Sequence, residues 1–271
     1  MNFDYREEYF SGLTSNWNRV SYSYISKLID GAIKEKHGMK ILDLGCGTGT
    51  YFFDLRNKNN EVFGIDFSST AINAAKDKGY VELVQGSITE LPYPENYFDF
   101  IFCTEVLEHV LDYKKGIEEI NRVLKPNGRL LLTTTTYYTS IFQVDRKSIF
   151  NFKILWRYVM GYFNESVRNE FIREFLFDKM GGHYHGFISP NLKKDFENGG
   201  FVVVHSKNVF IQAPLHPFDP RELKILLNNR KLSFKWVILQ IFRLIIISGN
   251  KFFSYVGVFP NNVVINARKV G

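Results

Sequence analysis

Residues 41 to 49 read Ile-Leu-Asp-Leu-Gly-Cys-Gly-Thr-Gly, an apolar strand that runs through an acidic residue into a turn with glycine at every second position. Gly45, Gly47 and Gly49 let the backbone turn sharply, and they let a flat or extended ligand approach it closely where a Cβ would obstruct. Thr50 to Leu55 then reads as the start of a helix. A strand, a glycine turn and a helix in this order point to a ligand lying close to the backbone of the loop.

Glycine loops of several kinds fit that description. A dinucleotide loop, G-x-G-x-x-G, would place its third glycine at position 50, which is Thr50. A phosphate-cradling loop needs a Gly-Lys-Ser/Thr ending, and none follows. A turn that merely joins strand to helix stays open for the loop alone. The next strand, Glu61 to Ile65, ends at Asp66, followed by Phe67 and Ser68. An acid about twenty positions beyond a glycine loop, at the carboxyl end of the second strand, is placed to hold a ribose diol, because a carboxylate accepts from both hydroxyls. Its bland alternative is a cap for the next helix, a task Ser68 or Ser69 can perform instead.

A third strand, Tyr80 to Gln85, leads to Gly86-Ser87-Ile88 and then to Leu91-Pro92-Tyr93-Pro94-Glu95-Asn96-Tyr97-Phe98-Asp99. A fourth, Phe100 to Cys103, runs into Thr104-Glu105-Val106-Leu107-Glu108-His109-Val110, and Leu124-Lys125-Pro126-Asn127-Gly128-Arg129-Leu130-Leu131-Leu132 turns into a fifth. Taken in order, these segments resemble the motifs of the class I S-adenosylmethionine (SAM) dependent methyltransferases of the type 11/12-like group. The resemblance implies SAM as cofactor, with S-adenosylhomocysteine as its product. It also implies a Rossmann-like α/β three-layer sandwich whose seven-stranded sheet is mostly parallel, with an antiparallel last strand and helical insertions. Carried onto this chain, the cofactor-binding residues are Asp43, Gly45, Cys46, Gly47, Gly49, Asp66, Phe67, Ser87, Ile88 and Thr104. Many relatives have Asp where Ser87 stands; a hydroxyl also accepts hydrogen bonds.

Strands and helices alternate through Thr135, which by itself argues for a parallel sheet covered on both faces, with ligands at the carboxyl ends of the strands. Trp17 to Lys36 has helical spacing at Val20, Tyr24 and Leu28 and is expected to lie over the SAM site. Arg19, Tyr5, Tyr9 and Tyr22 are candidates to touch cofactor or substrate, with surface packing as the alternative. The aromatic-rich stretch from Thr136 to Gly182 is too long for an ordinary connection and too apolar for a linker. It reads as a helical cap over the acceptor, or as an added packing or dimer layer. Phe187-Ile188-Ser189-Pro190-Asn191-Leu192 with Gly199-Gly200-Phe201 resembles a later family element, giving a helix from Pro190 to Asn198 and a strand from Phe201 to Val204. Asn262 to Lys269 resembles the final antiparallel strand. The whole is read as one methyltransferase domain, 1–271, with an N-terminal helical segment at 1–38, the cap at 136–182 and a late apolar helical insertion at 220–259.

A chain of 271 residues with 45% hydrophobic content can bury one substantial core. Its two cysteines, Cys46 and Cys103, suggest no disulfide framework, so a reducing cytoplasm is expected, and Met1 to Phe10 carries no apolar signal region. The net charge of +6 is spread without a dense run, which argues against nucleic acid and for solvated faces. Lys235, Arg243 and Lys251 break the late apolar run below the roughly eighteen residues of a membrane span. A packed or dimeric helix is preferred there to one lying on a membrane surface.

Transfer of a methyl group needs an aligned nucleophile, and an oxygen nucleophile also gains from losing its proton. His109, His183 and His185 are the candidate bases. Glu105, Glu108 and His109 are spaced to converge from one helical turn. In ubiquinone-pathway O-methyltransferases and small-RNA terminal methyltransferases a similar turn joins a distant histidine to hold a divalent cation. A metal-free histidine base is preferred here, and no metal ligand is assigned. The expected activity is methylation of a small molecule, at oxygen of a sugar, quinone or lipid-linked acceptor. The alternative is a SAM-binding module without catalysis, and an NAD-dependent enzyme is a more distant third.

Overall fold

A computed structural model describes residues 16–34, 36–137, 152–175, 182–209 and 262–271. Tyr5, Tyr9, the side chain of Arg19, several cap aromatics and the whole 220–259 insertion lie outside the described residues.

Seven strands form one sheet: β1 (Lys40–Leu44), β2 (Glu61–Asp66), β3 (Glu82–Gln85), β4 (Phe98–Thr104), β5 (Leu124–Thr135), β6 (Phe201–Val209) and β7 (Asn262–Lys269). Their order across the sheet is β3-β2-β1-β4-β5-β7-β6. The first five run parallel, and β7 is antiparallel to both neighbours. The expected mostly parallel sheet with an antiparallel final strand is therefore present. The topological switch lies between β1 and β4, whose carboxyl ends open a crevice where ligands of such sheets bind.

The helices are α1 (Asn16–Ile33), α2 (Phe52–Arg56), α3 (Ser69–Ala75), α4 (Tyr113–Val123), α5 (Phe152–Phe163), α6 (Glu165–Phe175) and α7 (Ser189–Asn198). On one face of the sheet, Ile25, Ile29 and Ile33 of α1, spaced along one side of the helix, pack with Phe52 and Leu55 of α2 against Ile41, Phe100 and Phe102. Burying each of these isoleucines contributes about 2 kcal/mol. On the other face, Tyr113, Ile117 and Ile120 of α4 and Leu192 and Phe196 of α7 cover Leu42, Ile101 and Leu130. The described side chains of α1 thus lie mainly on the sheet rather than over the ligand crevice, because the isoleucine stripe is its most apolar face. Near its start, Tyr22 stacks on Tyr51, whose ring meets Phe102 edge-on.

Within the stretch read as a cap, α5 and α6 pack as a pair around Tyr137, Ile154, Tyr158, Phe171 and Ile172. Two strands extend further than their apolar cores suggested. β4 begins at Phe98, and β6 continues to Val209 because its outer residues pair along β7.

Candidate active site

The loop after β1 is hung from the end of β2: the N–H groups of Gly45 and Cys46 both donate to the carbonyl of Ile65, at 2.8 and 3.1 Å. Gly45, Gly47 and Gly49 all have left-handed φ, at 75°, 53° and 76°. Their surroundings differ. A Cβ on Gly45 would run into the side chain of Val106, and one on Gly49 would press on Lys78 and Tyr80, whereas nothing lies within 4 Å of a Cβ on Gly47. The loop therefore has a packed side and an open side, and the open side is bordered by Asp66.

Asp66 ties the open side down. One carboxylate oxygen accepts from the Gly47 N–H and the other from the Ser68 N–H, both at 2.8 Å. Ser68 itself caps α3 by accepting from Ala71 N–H, so the cap role is filled and Asp66 is left facing the loop. Each of its oxygens retains acceptor capacity for a diol. Burial lifts its pKa above the usual carboxylate range despite the backbone donors. Phe67, next in sequence, is 64% exposed and free to cover a planar group.

Asp43 lies beneath the loop, 2% exposed, and accepts from the Tyr80 hydroxyl at 2.7 Å. Burial pushes its pKa up to about 7, the Tyr80 bond opposes that shift, and neighbouring Asp66 adds to it. The folded state holds this proton more tightly than the unfolded chain does. Stability from this group is therefore lost as pH rises from the ordinary value of 3.8 through about 7. An asparagine in its place would keep an acceptor for Tyr80 and would not titrate. The stability advantage of Asp43→Asn, read from denaturant midpoints, should grow by about 2 kcal/mol between pH 5 and pH 8. A gap independent of pH would contradict the assignment.

The remaining predicted cofactor residues lie around this crevice in different ways. Thr104 closes β4 and shares a 2.6 Å hydroxyl contact with Thr133. Ser87 bonds the hydroxyl and N–H of Thr89. Cys46 and Ile88 are 6% and 5% exposed, and Ile88 packs in the core beside Gly116 of α4. Both cysteines are free and buried, which raises their thiol pKa values.

Across the crevice, β4 passes into Glu105 and a short 3-10 turn, Leu107–His109. Glu105 has φ 54°, a left-handed conformation that the other non-glycine examples among the described residues leave to asparagine. Its carboxylate is gripped by Asn262 of β7, whose Nδ2 donates to both oxygens at 2.8 Å, and by the Thr133 hydroxyl at 2.9 Å. Glu108 is fully buried and accepts from the Thr134 hydroxyl at 2.6 Å. Burial, with Glu105 close by, holds the Glu108 pKa well above its ordinary value, and burial also raises Glu105.

The distant histidines arrive beside this turn. The N–H groups of Tyr184 and His185 both donate to the backbone carbonyl of Glu108, at 2.7 and 3.3 Å, which fastens the chain after α6 to the turn after β4. His183 and His109 meet edge to face at 4.6 Å between ring centroids, and His183 Nδ1 lies 3.5 Å from the Thr135 hydroxyl. His185 points elsewhere, with Nε2 donating to the carbonyl of Leu111 at 3.1 Å and its ring against Tyr113. Burial keeps both imidazoles in the neutral form, His183 the more strongly, with His109 adding to its shift. The predicted trio of histidines is thus divided, with His109 and His183 together and His185 apart. Glu105 stays beside Glu108, whose pKa it raises, while both of its oxygens also accept from Asn262 and His109 meets His183.

Thr133, Thr134, Thr135, Asn262 and Tyr80 complete the site and were not foreseen. The run Thr133-Thr134-Thr135-Thr136 at the end of an otherwise leucine-rich strand was a readable signal, since buried hydroxyls need partners. Asn262 gave none, because only insertion of β7 beside β5 brings it to Glu105.

A family model described as a methyltransferase domain matches residues 42–132, the span from β1 through most of β5. Demethylmenaquinone methyltransferase of Staphylococcus aureus is 30% identical over 185 residues, covering 64% of this chain and 72% of that protein. Two solved structures share the fold. One is a SAM dependent methyltransferase from Archaeoglobus fulgidus, with TM-score 0.56, 16% identity and coverage of 98% of this chain and 100% of that one. The other is phosphoethanolamine N-methyltransferase 2 of Haemonchus contortus in complex with SAM, with TM-score 0.53, 20% identity and coverage of 92% and 53%. The chain belongs to the class I SAM-dependent methyltransferases, and its cofactor is SAM. The open side of the loop at Gly47, bordered by Asp66 and by exposed Phe67, suits such a ligand.

Proposed function

We propose that the enzyme methylates a small-molecule acceptor at oxygen, with SAM lying on the open side of the Gly47 loop and the acceptor hydroxyl entering from the Glu108, His109 and His183 side. The observation that carries this reading is the buried His183, kept neutral and fastened beside the end of β4 through the Glu108 carbonyl. SAM supplies a methyl group on a sulfonium that is already a good leaving group. The chain's part is to align an oxygen with it, exclude water and take the hydroxyl proton. Neutral His183 is the group placed to take it. Asp43, Gly45, Cys46, Gly49, Ser87, Ile88 and Thr104 form or back the cofactor side of the crevice in this reading.

The name of the Staphylococcus aureus relative supports a quinone-like acceptor. Trp156, Val159 and Phe163 on α5 are exposed, which supports a membrane-borne acceptor with an apolar tail. Among the described residues no helix is long and apolar enough to cross a membrane.

Methyl-labelled SAM offered with reduced quinones, sugars and lipid-linked sugars tests this directly. Label should appear on an oxygen of one acceptor, and His183→Ala should lower kcat by roughly a hundredfold with SAM affinity nearly unchanged. Full activity in both His183→Ala and His185→Ala would contradict the histidine base.

A further inference from the structure

We propose that Tyr80 is a positioning residue for the cofactor loop: its ring crosses β2 through the space left by Gly64, and its hydroxyl holds the Asp43 carboxylate in place beneath the loop. Asp43 of β1 and Gly64 of β2 are partners across the parallel ladder. Side chains of such partners share a face of the sheet, so a side chain at position 64 would stand beside Asp43. Glycine leaves that place open in a strand where Phe63 and Ile65 flank it, and Tyr80 fills it. A Cβ on Gly64 would lie 2.9 Å from the Tyr80 ring. The hydroxyl at the far end donates to Asp43 Oδ2 at 2.7 Å.

Further contacts fix the ring in that path. Phe52 of α2 packs on it, with ring centroids 4.5 Å apart. A Cβ on Gly49 would meet the Tyr80 hydroxyl at 3.4 Å, which places the tip of the side chain beside the last glycine of the loop. The N–H of Val81, next in sequence, donates to the carbonyl of Val62 at 2.8 Å and sets the backbone from which the ring reaches. One side chain thus touches the acid of β1, the gap in β2, the loop, and the first helix after it. Burial, with Asp43 close by, raises the phenol pKa far above its ordinary value, so Tyr80 remains a donor at neutral pH.

A carboxylate that is 2% exposed needs donors if it is to ionise. The titratable groups facing Asp43 are Tyr80, Asp66 at the end of β2, Cys46 in the loop, Cys103 of β4 and Tyr51 at the start of α2, and none of these is a cation. The Tyr80 bond opposes the effect of burial and leaves the Asp43 pKa at about 7, where the ionised form is within reach. SAM carries a net positive charge, so an ionised carboxylate beneath its loop attracts it. Tyr80 then acts on cofactor affinity through Asp43 without touching the cofactor. This role rests on SAM lying on the Gly47 loop, while the acceptor and the histidine base do not enter it.

The test is calorimetric titration of the full chain with SAM, between about pH 5 and pH 8, in the wild type, Tyr80→Phe, Asp43→Asn and the double variant. Phenylalanine keeps the ring against Gly49, Gly64 and Phe52, and thermal melts check that each variant is folded. Wild-type affinity should rise with pH through about 7. Tyr80→Phe should bind roughly tenfold more weakly at about pH 7 and should carry the rise to higher pH, because the bond that opposes burial is gone. In the Asp43→Asn background the same substitution should change affinity by no more than about twofold, with no rise to displace. Titration of Asp66 and of the cofactor's amino group is common to all four proteins and cancels in the comparison. An unmoved rise in folded Tyr80→Phe would overturn the role, as would an equal loss in both backgrounds. Weakened binding in Asp66→Ala beside an unmoved Tyr80→Phe would sink the role of Tyr80 alone. Wild-type affinity in Asp66→Ala would sink the loop placement, and this role with it.

Discussion

Replacing Asp66 with Ala should weaken SAM binding by about 3 kcal/mol or more, a loss of over a hundredfold in affinity. The carboxylate has two tasks, and both end with its removal. It holds the Gly47 and Ser68 N–H groups, so the loop loses the anchor of its open side. It also presents the acceptor oxygens expected to take the ribose diol. Charged hydrogen bonds of this kind contribute about 1.5–3 kcal/mol each, which sets the magnitude. Stability should change far less than affinity, because burial already disfavours the ionised form and its loss relieves that cost. Calorimetric titration with SAM, alongside a thermal melt, separates the two effects. An affinity within a few-fold of wild type would remove Asp66 from the site.

The second large effect distinguishes two glycines that look alike in sequence. Gly45→Ala places a Cβ against Val106 at a left-handed φ of 75°, combining about 1–2 kcal/mol of backbone strain with about 1–3 kcal/mol of overpacking. Its melting temperature should fall by roughly 6–15 °C. Gly47→Ala meets nothing. It bears only the backbone term and should lose roughly 2–6 °C, yet its methyl group intrudes where we propose that SAM lies. SAM affinity should drop by about 1–3 kcal/mol, or roughly 5- to 150-fold. With SAM placed as proposed, one glycine serves the fold and the other the ligand.

That division explains how far the sequence could be read. The alternation of strands and helices through Thr135, with the ligand side at the carboxyl ends of the strands, follows from apolar runs punctuated by glycine and was legible; the order across the sheet was not. The acid at Asp66 was legible too, since its distance from the loop carries a mechanism. What the loop's glycines do individually was not legible, because Val106, Lys78 and Tyr80 reach them from distant positions. The acceptor side was harder still. Glu105, Glu108 and His109 share a local spacing that suggested convergence, and Glu105 does lie beside Glu108, but the long-range clamp from Asn262 on both of its oxygens left no trace in that spacing. His183 and His185 are two residues apart and looked equivalent. The backbone bonds to the Glu108 carbonyl set one ring beside His109 and the other beside Tyr113. Contacts set by topology at such separation leave no periodic trace in the chain.

We place SAM on the open face of the loop at Gly47, beside Asp66. Calorimetric titration of the wild type, Gly47→Ala and Asp66→Ala with SAM, and of the wild type with NADH, tests it most directly. One saturable SAM site per wild-type chain is expected, with no NADH binding and much weaker SAM binding in both variants while they remain folded. Unchanged SAM affinity in Gly47→Ala and Asp66→Ala would contradict it.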